Sequence, residues 1–383
     1  MPAAADPVAR ARALRPLFEA EAAATDVALT PTAKVVEAAA DAGLFALMVP
    51  KALGGLEADP STLIDVFEEL ALADGSIGWT LMANASATSY VAFLDPAVAA
   101  EMVQGRPEST AAGQFSPFGQ VVREGERYRV SGDFQFGSGI AHASYVGGAG
   151  FVPGEDGQPE MMDDGLPNYR CFFVPKERVD LNGGWDVMGL RGTGSFDYHV
   201  QDQVIDPGWT FGLFHYRVKT GGPLYGMGPA PLAGLGHAGW GLGVARRALD
   251  EIERIAENGR ARMGGLPLRD QQHFQRDLGK REMALQSVRL LTHDVFGRVV
   301  AHLSGGDPMT PALQHEVMAS TAYLTEVAED CTLFAYRTAG SQGLRNPSAV
   351  QRCFRDVFTG GLHIFVDRRS YEEIAKGRTG ATA

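Results

Sequence analysis

The chain has 383 residues, of which 45% are hydrophobic and 21% are charged, and its formal net charge at pH 7 is −12. This length can bury a large core and predicts two or three domains. The acidic balance argues against a nucleic-acid partner, which needs a basic face. The three cysteines have no paired spacing, so we expect free thiols in a reducing compartment. No signal peptide or membrane span is recognisable, which predicts a cytoplasmic protein.

The hydrophobic pattern divides the chain into three parts. Residues 1–107 have apolar side chains at helical spacing, which predicts an N-terminal helical domain. Residues 108–215 contain short alternating segments punctuated by glycine and proline, typical of a β domain, with a hairpin turn predicted at residues 124–126. Residues 222–383 return to helical spacing and suggest a bundle of four long helices. These four helices are predicted over residues 242–258, 271–303, 311–340 and 348–374.

Residues 234–239 read Gly-Leu-Gly-His-Ala-Gly, the spacing of a dinucleotide-binding loop. Such a loop follows a strand, whereas the flanks here are helical. Close packing between helices through small residues is therefore the better interpretation. No P-loop, zinc-protease or hydrolase-nucleophile motif occurs in the chain. The sequence shows no nicotinamide site.

Several short motifs occur in order along nearly the whole chain. They are residues 43–50 with Gly54-Gly55, residues 185–195, residues 266–268 with Gln272, and residues 340–343 followed by Arg355-Asp356. Together these motifs resemble those of the acyl-CoA dehydrogenase superfamily. The resemblance implies an N-terminal helical domain, a β-barrel-like middle domain and a C-terminal four-helix bundle, so the fold class is mainly α with a central β domain. It also implies a homotetramer in which the 340–343 turn lies near a neighbouring subunit's cofactor.

The resemblance breaks at the position of the catalytic base. In the dehydrogenases, the Arg-Asp pair is followed by a segment ending in Tyr-Glu-Gly-Thr, whose glutamate removes the substrate α-proton. Counting from Arg355-Asp356 places His363 at the tyrosine position and Ile364 at the glutamate position. Some members carry the base on the first bundle helix, but residues 224–249 contain no acidic side chain. Isoleucine cannot accept a proton, so ordinary dehydrogenation is disfavoured.

With a histidine at this position, the chain resembles the reduced-flavin-dependent monooxygenase branch of the superfamily, whose members have a histidine there. The "W.FSSG…H" segment of that branch resembles residues 134–142, although Phe134 replaces the tryptophan and Gly137 replaces the first serine. Five other histidines have no special spacing and are assigned no role: His237, His273, His293, His302 and His315. The resemblance implies catalytic roles for His363 and Ser138, cofactor contacts at Phe136, Ser138, Gly139, Arg262 (with Arg260 as the rival register), Gln272, Gly340 and Gly343, and substrate contacts at His142 and Phe134.

The chemistry implied by this resemblance is hydroxylation of a small aromatic or polycyclic substrate. Reduced FMN or FAD would come from a separate flavin reductase and react with O2 to give a C4a-hydroperoxyflavin, whose distal oxygen is transferred. Ser138 would hydrogen-bond near flavin N5, and His363 would act as a general base on an acidic group such as a phenol, or polarise it. Two alternatives stay open: an acyl-CoA dehydrogenase or oxidase-like FAD enzyme with an unrecognised base, and a non-catalytic flavin-binding relative.

Overall fold

The computed structural model describes residues 6–261 and 265–379. Within these ranges, five helices are followed by eight strands and then by five more helices. The helices are α1 (Pro7–Ala28), α2 (Ala33–Asp41), α3 (Pro60–Ala73), α4 (Gly75–Ser89), α5 (Pro96–Val103), α6 (Pro229–Glu257), α7 (Gln272–Ser304), α8 (Pro311–Ala339), α9 (Ala349–Gly360) and α10 (Arg369–Thr379). The strands are β1 (Ala111–Gly113), β2 (Gln120–Glu124), β3 (Arg127–Gly137), β4 (Tyr145–Phe151), β5 (Tyr169–Pro175), β6 (Val179–Gly183), β7 (Phe196–Ile205) and β8 (Thr210–Gly212).

The strands form two four-stranded sheets, in the orders β1-β4-β5-β8 and β2-β3-β7-β6. The predicted hairpin is confirmed: β2 pairs antiparallel with β3, and Val121 lies opposite Val130. Its turn contains Gly125 at φ = 62°, a left-handed conformation that glycine adopts without steric cost. Apolar side chains from both sheets, including Phe172 and Tyr198, form a separate core cluster. The middle of the chain therefore has its own hydrophobic interior.

The main core joins the N-terminal helices, one face of the first sheet and the C-terminal bundle. The segment 234–239 lies inside α6, which confirms its interpretation as a packing surface. A Cβ atom on Gly239 would lie 2.7 Å from the carbonyl oxygen of Ile64, and one on Gly243 would overlap the carbonyl oxygen of Glu68. The small residues of α6 thus allow α3 to approach its backbone closely.

The bundle agrees with its predicted helices except at two places. Helices α7 and α8 match the predictions to within one residue, but α6 begins at Pro229 instead of residue 242. Its first half is buried on all sides and lacks the polar positions that would reveal a helical period. The predicted helix over residues 348–374 is wrong. It ends at Gly360, and a short 3-10 turn (Ile364–Val366) precedes α10.

Secondary structure changes type between Val103 and Ala111 and again between Gly212 and Pro229. The division into domains at residues 1–107, 108–215 and 222–383 stays a prediction. The cysteines are buried and unpaired, as expected. In the described ranges, no helix has the length and apolar character needed to cross a bilayer. The same ranges contain no group of histidine, cysteine and acidic side chains suited to a metal ion.

Candidate active site

Helix α4 connects the N-terminal helices to the predicted site. Asp74 caps it by accepting hydrogen bonds from two backbone amides of its first turn, at 3.1 and 3.2 Å. The helix is buried along almost its whole length. Two of its side chains reach the β domain: Trp79 Nε1 donates to Ser138 Oγ at 3.0 Å, and Asn84 Oδ1 lies 2.9 Å from His142 Nε2. Ser138 and His142, both predicted site residues, are therefore positioned by hydrogen bonds to side chains of α4.

The loop after β3 has an unusual backbone that presents Ser138. Phe136 has φ = 62°, which is rare for a residue other than glycine, and its ring is 55% exposed. Gly139 has φ = 70°, and a Cβ atom there would overlap the side chain of Asn84. The amide of Gly139 donates to the carbonyl oxygen of Thr193 at 2.9 Å. The loop thus leaves an aromatic ring and a hydroxyl group on an accessible surface.

A chain of hydroxyl groups runs from Ser138 into the protein. Ser138 Oγ lies 2.8 Å from Ser195 Oγ, which lies 2.6 Å from Thr193 Oγ1. Thr193 donates to the carbonyl oxygen of Leu190 at 2.8 Å. The amide of Leu190 in turn donates to Asp356 Oδ1 at 2.6 Å. Ser195 and Thr193 are fully buried, so this chain is shielded from solvent.

The carboxyl group of Asp356 anchors the loop that carries Thr193 and Ser195. Burial, together with the nearby carboxylate of Asp74, raises the pKa of Asp356 to about 7. Asp74 itself is ion-paired with Arg352, whose Nε lies 3.2 Å from Asp74 Oδ2. This buried cluster belongs to α9 and to the start of α4, so the "Arg-Asp" segment of the sequence helps to position the site.

Aromatic rings surround the other side of Trp79. The ring of Trp79 packs edge-on against Trp240 at 4.9 Å, His237 at 5.4 Å and His363 at 5.7 Å between centroids. Gly360 lies against both tryptophans, and a Cβ atom there would overlap the ring of Trp240. Trp79 therefore brings the two predicted catalytic residues together, because it hydrogen-bonds to Ser138 and packs against His363. The sequence reasoning did not single out either tryptophan.

The backbone around His363 determines the position of its proton. The ring caps the 3-10 turn Ile364–Val366, and its Nδ1 accepts a hydrogen bond from the amide of Phe365 at 3.3 Å. An amide can only donate, so Nδ1 carries no proton and the neutral ring is protonated on Nε2. Burial lowers the pKa of His363 to about 4, which keeps the ring neutral at pH 7. His363 therefore offers an N–H group to its surroundings.

His237 lies beside His363, with 6.1 Å between the ring centroids, although the sequence assigned it no role. It is fully buried, and burial lowers its pKa to about 3. Thr325 donates its own proton to the carbonyl oxygen of Thr321, so His237 Nε2, 3.4 Å away, donates to Thr325 Oγ1. His237 Nδ1 has no partner within the described part of the chain. The sequence did hold a signal for His237: it lies within residues 224–249, the part of the first bundle helix where some family members carry their catalytic base.

The structure places the two predicted substrate contacts differently. Phe134 is buried in the core of the β domain, stacked on Tyr198 at 5.2 Å. Its side chain supports the sheet from within, and we do not propose it as a substrate contact. His142 is half-buried next to Phe45, and burial lowers its pKa to about 4. Its Nε2 is held by Asn84, which leaves Nδ1 as the acceptor.

The remaining predicted cofactor residues lie at the other end of the bundle. Gly340 follows α8 directly, and a Cβ atom there would contact Arg260, whose guanidinium donates to the carbonyl oxygen of Thr338. Thr325, beside His237, precedes Gly340 by fifteen helical residues, or about 22 Å at 1.5 Å per residue. Gly343 closes the same 3-10 turn, and Gln272 is exposed at the start of α7. Arg262 lies outside the described residues. One chain therefore does not gather all the predicted cofactor residues in one place.

The fold and this site define a recognised class of protein. Residues 9–99 match the acyl-CoA dehydrogenase N-terminal domain, and residues 235–368 match the acyl-CoA dehydrogenase C-terminal domain. The chain belongs to the acyl-CoA dehydrogenase family, which confirms the predicted superfamily. Within this family it belongs to the branch of flavin-dependent monooxygenases. The indole-3-acetate monooxygenase of Pseudomonas putida is 30% identical over 341 residues, which cover 88% of this chain and 84% of that protein.

Solved structures confirm the predicted fold class. The 3-HSA hydroxylase from Rhodococcus sp. RHA1 superimposes with a TM-score of 0.89 at 21% identity, and the match covers 99% of this chain and 98% of that one. XiaF from Streptomyces sp., in complex with FADH2 and glycerol, superimposes with a TM-score of 0.88 at 18% identity. That match covers 98% of this chain and 95% of the other. The chain therefore has the same arrangement of helices and strands as these two proteins over nearly its whole length.

Proposed function

We propose that this chain is the oxygenase component of a two-component flavin-dependent monooxygenase. It takes reduced FMN or FAD from a separate reductase and uses O2 to hydroxylate a small aromatic or polycyclic substrate. The proposal is carried by one observation: where a dehydrogenase has a tyrosine followed by its glutamate base, this chain has His363 followed by Ile364, and the neutral His363 packs against the same tryptophan that hydrogen-bonds to Ser138. The names of its relatives, among them an indole-3-acetate monooxygenase, point to the same chemistry.

The residues of the site fit a flavin ring, which is flat, largely apolar and polar along the N5 edge. Phe136 and Ile364 expose apolar side chains beside the site. Ser138 accepts from Trp79 and keeps a second lone pair for a ligand. The buried Nδ1 of His237 has no partner in the described ranges, which is costly unless a ligand or water fills it. When bound in its reduced form, flavin would supply the activation of O2.

His363 would contribute a hydrogen-bond donor to substrate oxidation. Because Phe365 donates to Nδ1, the group left for a substrate is Nε2–H. A donor at this position stabilises negative charge on a substrate oxygen, such as a phenolate, during attack by its ring. Of the two roles proposed for His363, this geometry favours polarising the substrate over removing its proton. His142 remains a proposed substrate contact through Nδ1.

Water must be kept from the site, because stray protons divert reduced flavin and O2 to hydrogen peroxide. Trp79 and Trp240 are buried and pack edge-on, so they form a dry wall behind Ser138 and His363. Within the described ranges, no carboxylate hydrogen-bonds to Trp79, Ser138 or His363. The wall would therefore keep an uncharged, apolar environment around the reacting groups.

We further propose that the chain assembles as a homotetramer in the cytoplasm. Gly340 lies about 22 Å along α8 from the level of His237, and in the proposed tetramer it would contact the cofactor of a neighbouring subunit. Met283 and Leu290 are 61% and 62% exposed on one face of α7, which suits burial against another copy. The unpaired cysteines are consistent with a reducing compartment. Light scattering on the purified protein would test the assembly: a monomeric mass contradicts it.

Anaerobic titration with reduced FMN and reduced FAD, followed by mixing with O2 and substrate, tests the proposed function. Indole-3-acetate and a simple phenol are suitable first substrates. We expect tight binding of reduced flavin, no oxidation of NADH without a reductase, and a product heavier by one oxygen atom. Reduction of bound FAD by an acyl-CoA would support the dehydrogenase alternative instead. Failure to bind either flavin would support a non-catalytic relative.

A further inference from the structure

We propose that Thr193 and Ser195 are positioning residues that hold the proton of Ser138, so that its hydroxyl faces the flavin only as an acceptor and the site selects reduced over oxidised flavin. The inference rests on the proposed function and deepens it. Neither residue is expected to touch the flavin. Their effect is transmitted through the direction of hydrogen bonds that end at Ser138 Oγ.

The direction of these hydrogen bonds is set at the buried end of the series, where Thr193 contacts Leu190. A carbonyl oxygen cannot donate, so the 2.8 Å bond between Thr193 Oγ1 and Leu190 uses the single hydroxyl proton of Thr193. Ser195 Oγ lies 2.6 Å from Thr193 Oγ1. Because Thr193 has no second proton, Ser195 must donate to Thr193. Any other arrangement would place two oxygen lone pairs against each other at hydrogen-bonding distance.

The same reasoning applies to the next bond toward the surface. The proton of Ser195 is used on Thr193, so the 2.8 Å contact between Ser138 and Ser195 requires Ser138 to donate. The other known partner of Ser138 is Trp79 Nε1, and an indole nitrogen only donates. The hydroxyl of Ser138 therefore has one proton already used, one lone pair filled by Trp79, and one lone pair left.

A remaining lone pair distinguishes the two oxidation states of flavin. Reduced flavin carries a proton on N5, which can donate to that lone pair. Oxidised flavin has a lone pair on N5, and two facing lone pairs repel each other. Ser138 is the outermost of the three hydrogen-bonded hydroxyl residues. It is half-buried, whereas Ser195 and Thr193 are fully buried. A site of this polarity binds the form that a reductase delivers and releases the oxidised form.

Replacing Thr193 with valine should reverse the polarity without unfolding the loop. Leu190 keeps a hydrogen bond, because Trp185 Nε1 also donates to its carbonyl oxygen at 2.9 Å. Ser195 then loses its acceptor and turns its proton toward Ser138 Oγ. The proton of Ser138 is released and becomes available to N5 of oxidised flavin. Ser195→Ala reaches the same state by a second route, because it removes the acceptor that holds the Ser138 proton.

The experiment is to measure dissociation constants for reduced and oxidised flavin in the wild type, Thr193→Val, Ser195→Ala and the control Thr193→Ser. In the Val and Ala variants, we expect reduced flavin to bind more weakly and oxidised flavin more tightly. The dissociation constant of oxidised flavin divided by that of reduced flavin should fall about tenfold to a hundredfold. The midpoint potential of bound flavin should fall with it, by about 30 mV per tenfold change. Thr193→Ser keeps the hydroxyl and should retain the wild-type ratio.

A structural role for these residues predicts a different result. If Thr193→Val and Ser195→Ala weaken both oxidation states in parallel, or leave the ratio unchanged, the inference is wrong while the proposed function stands. If the wild-type protein binds neither form, the proposed function fails and the inference fails with it. Ser138→Ala provides a further check, since it removes the acceptor itself: it should weaken reduced flavin and lose the sensitivity to the Thr193→Val change.

Discussion

Trp79 and Ser138 are 59 positions apart in the chain, yet the indole N–H of Trp79 donates a 3.0 Å hydrogen bond to the hydroxyl oxygen of Ser138. The bond joins a helix of the N-terminal part to a loop of the β domain. The same indole ring packs against His363 of the C-terminal part. All three parts of the chain therefore meet at one side chain, and the geometry of the candidate site depends on how they pack.

Removing the indole nitrogen should uncouple oxygen consumption from product formation. In Trp79→Phe, the ring contact with His363 is largely kept, but Ser138 loses its donor. We expect the free energy of unfolding to fall by about 1–3 kcal/mol and the product formed per O2 to fall severalfold. Trp240→Phe is the matched control, because Trp240 Nε1 donates to the carbonyl oxygen of Gly75 and not to Ser138. Equal coupling in the two variants would contradict the role of Trp79.

His363→Ala should leave flavin binding within a few fold of wild type while lowering product yield by about 10²–10³, the usual effect of one donor at a developing negative charge. Hydrogen peroxide should appear instead. His363→Gln retains an N–H group and should recover part of the yield. A glutamine variant as poor as the alanine variant would indicate that the ring acts as a base, contrary to the tautomer imposed by Phe365.

The buried His237 should make the protein sensitive to acid. Its pKa is about 3 in the folded state, because of burial, and near 6.5 when unfolded. Between those values the unfolded chain binds the extra proton, so stability falls as the pH decreases below 6.5, by at most about 1.4 kcal/mol per pH unit. Well above pH 6.5 the histidine is deprotonated in both states and adds no pH dependence.

This effect of His237 is measured as a difference between two proteins. Asp356, with its raised pKa of about 7, acts in the opposite direction over part of the same range, since its folded form binds the extra proton. Urea unfolding of wild type and His237→Gln from pH 7.5 to 5 cancels that common contribution. The wild type should lose stability more steeply than the variant. Parallel curves would show that His237 is not held neutral by burial.

A methyl group at Gly360 should disturb the site from behind. A Cβ atom there would overlap the ring of Trp240 and lie 2.9 Å from that of Trp79. Overpacking of this kind costs about 1–3 kcal/mol, so Gly360→Ala should be destabilised and poorly coupled. Gly234→Ala is the control: apart from its chain neighbours and the backbone of its own helix, no atom of the described residues lies within 4 Å of the added methyl, and alanine should stabilise α6 by about 0.5–1 kcal/mol. Urea midpoints of the two variants should therefore move in opposite directions.

The sequence by itself determined the features that depend on local patterns. The order of helical and β segments, the hairpin around Gly125 and the limits of α7 and α8 follow from hydrophobic period and turn chemistry, which short windows record. The position of His363 followed from a count of residues after Arg355-Asp356. The family followed from segments in the right order, and the domain limits and site roles remain predictions.

Only the tertiary structure decided which side chains meet. The helix predicted to continue to residue 374 stops at Gly360, where the chain packs against two tryptophans from other elements. Phe134 is enclosed between sheets, while Trp79, which had no local signal, and His237, which was assigned no role, pack against His363. The tautomer of His363 depends on a single amide, and the polarity of Ser138 depends on Thr193. These relationships arise from packing and from hydrogen-bond pairing between residues distant in the chain, and local periodicity carries no information about either.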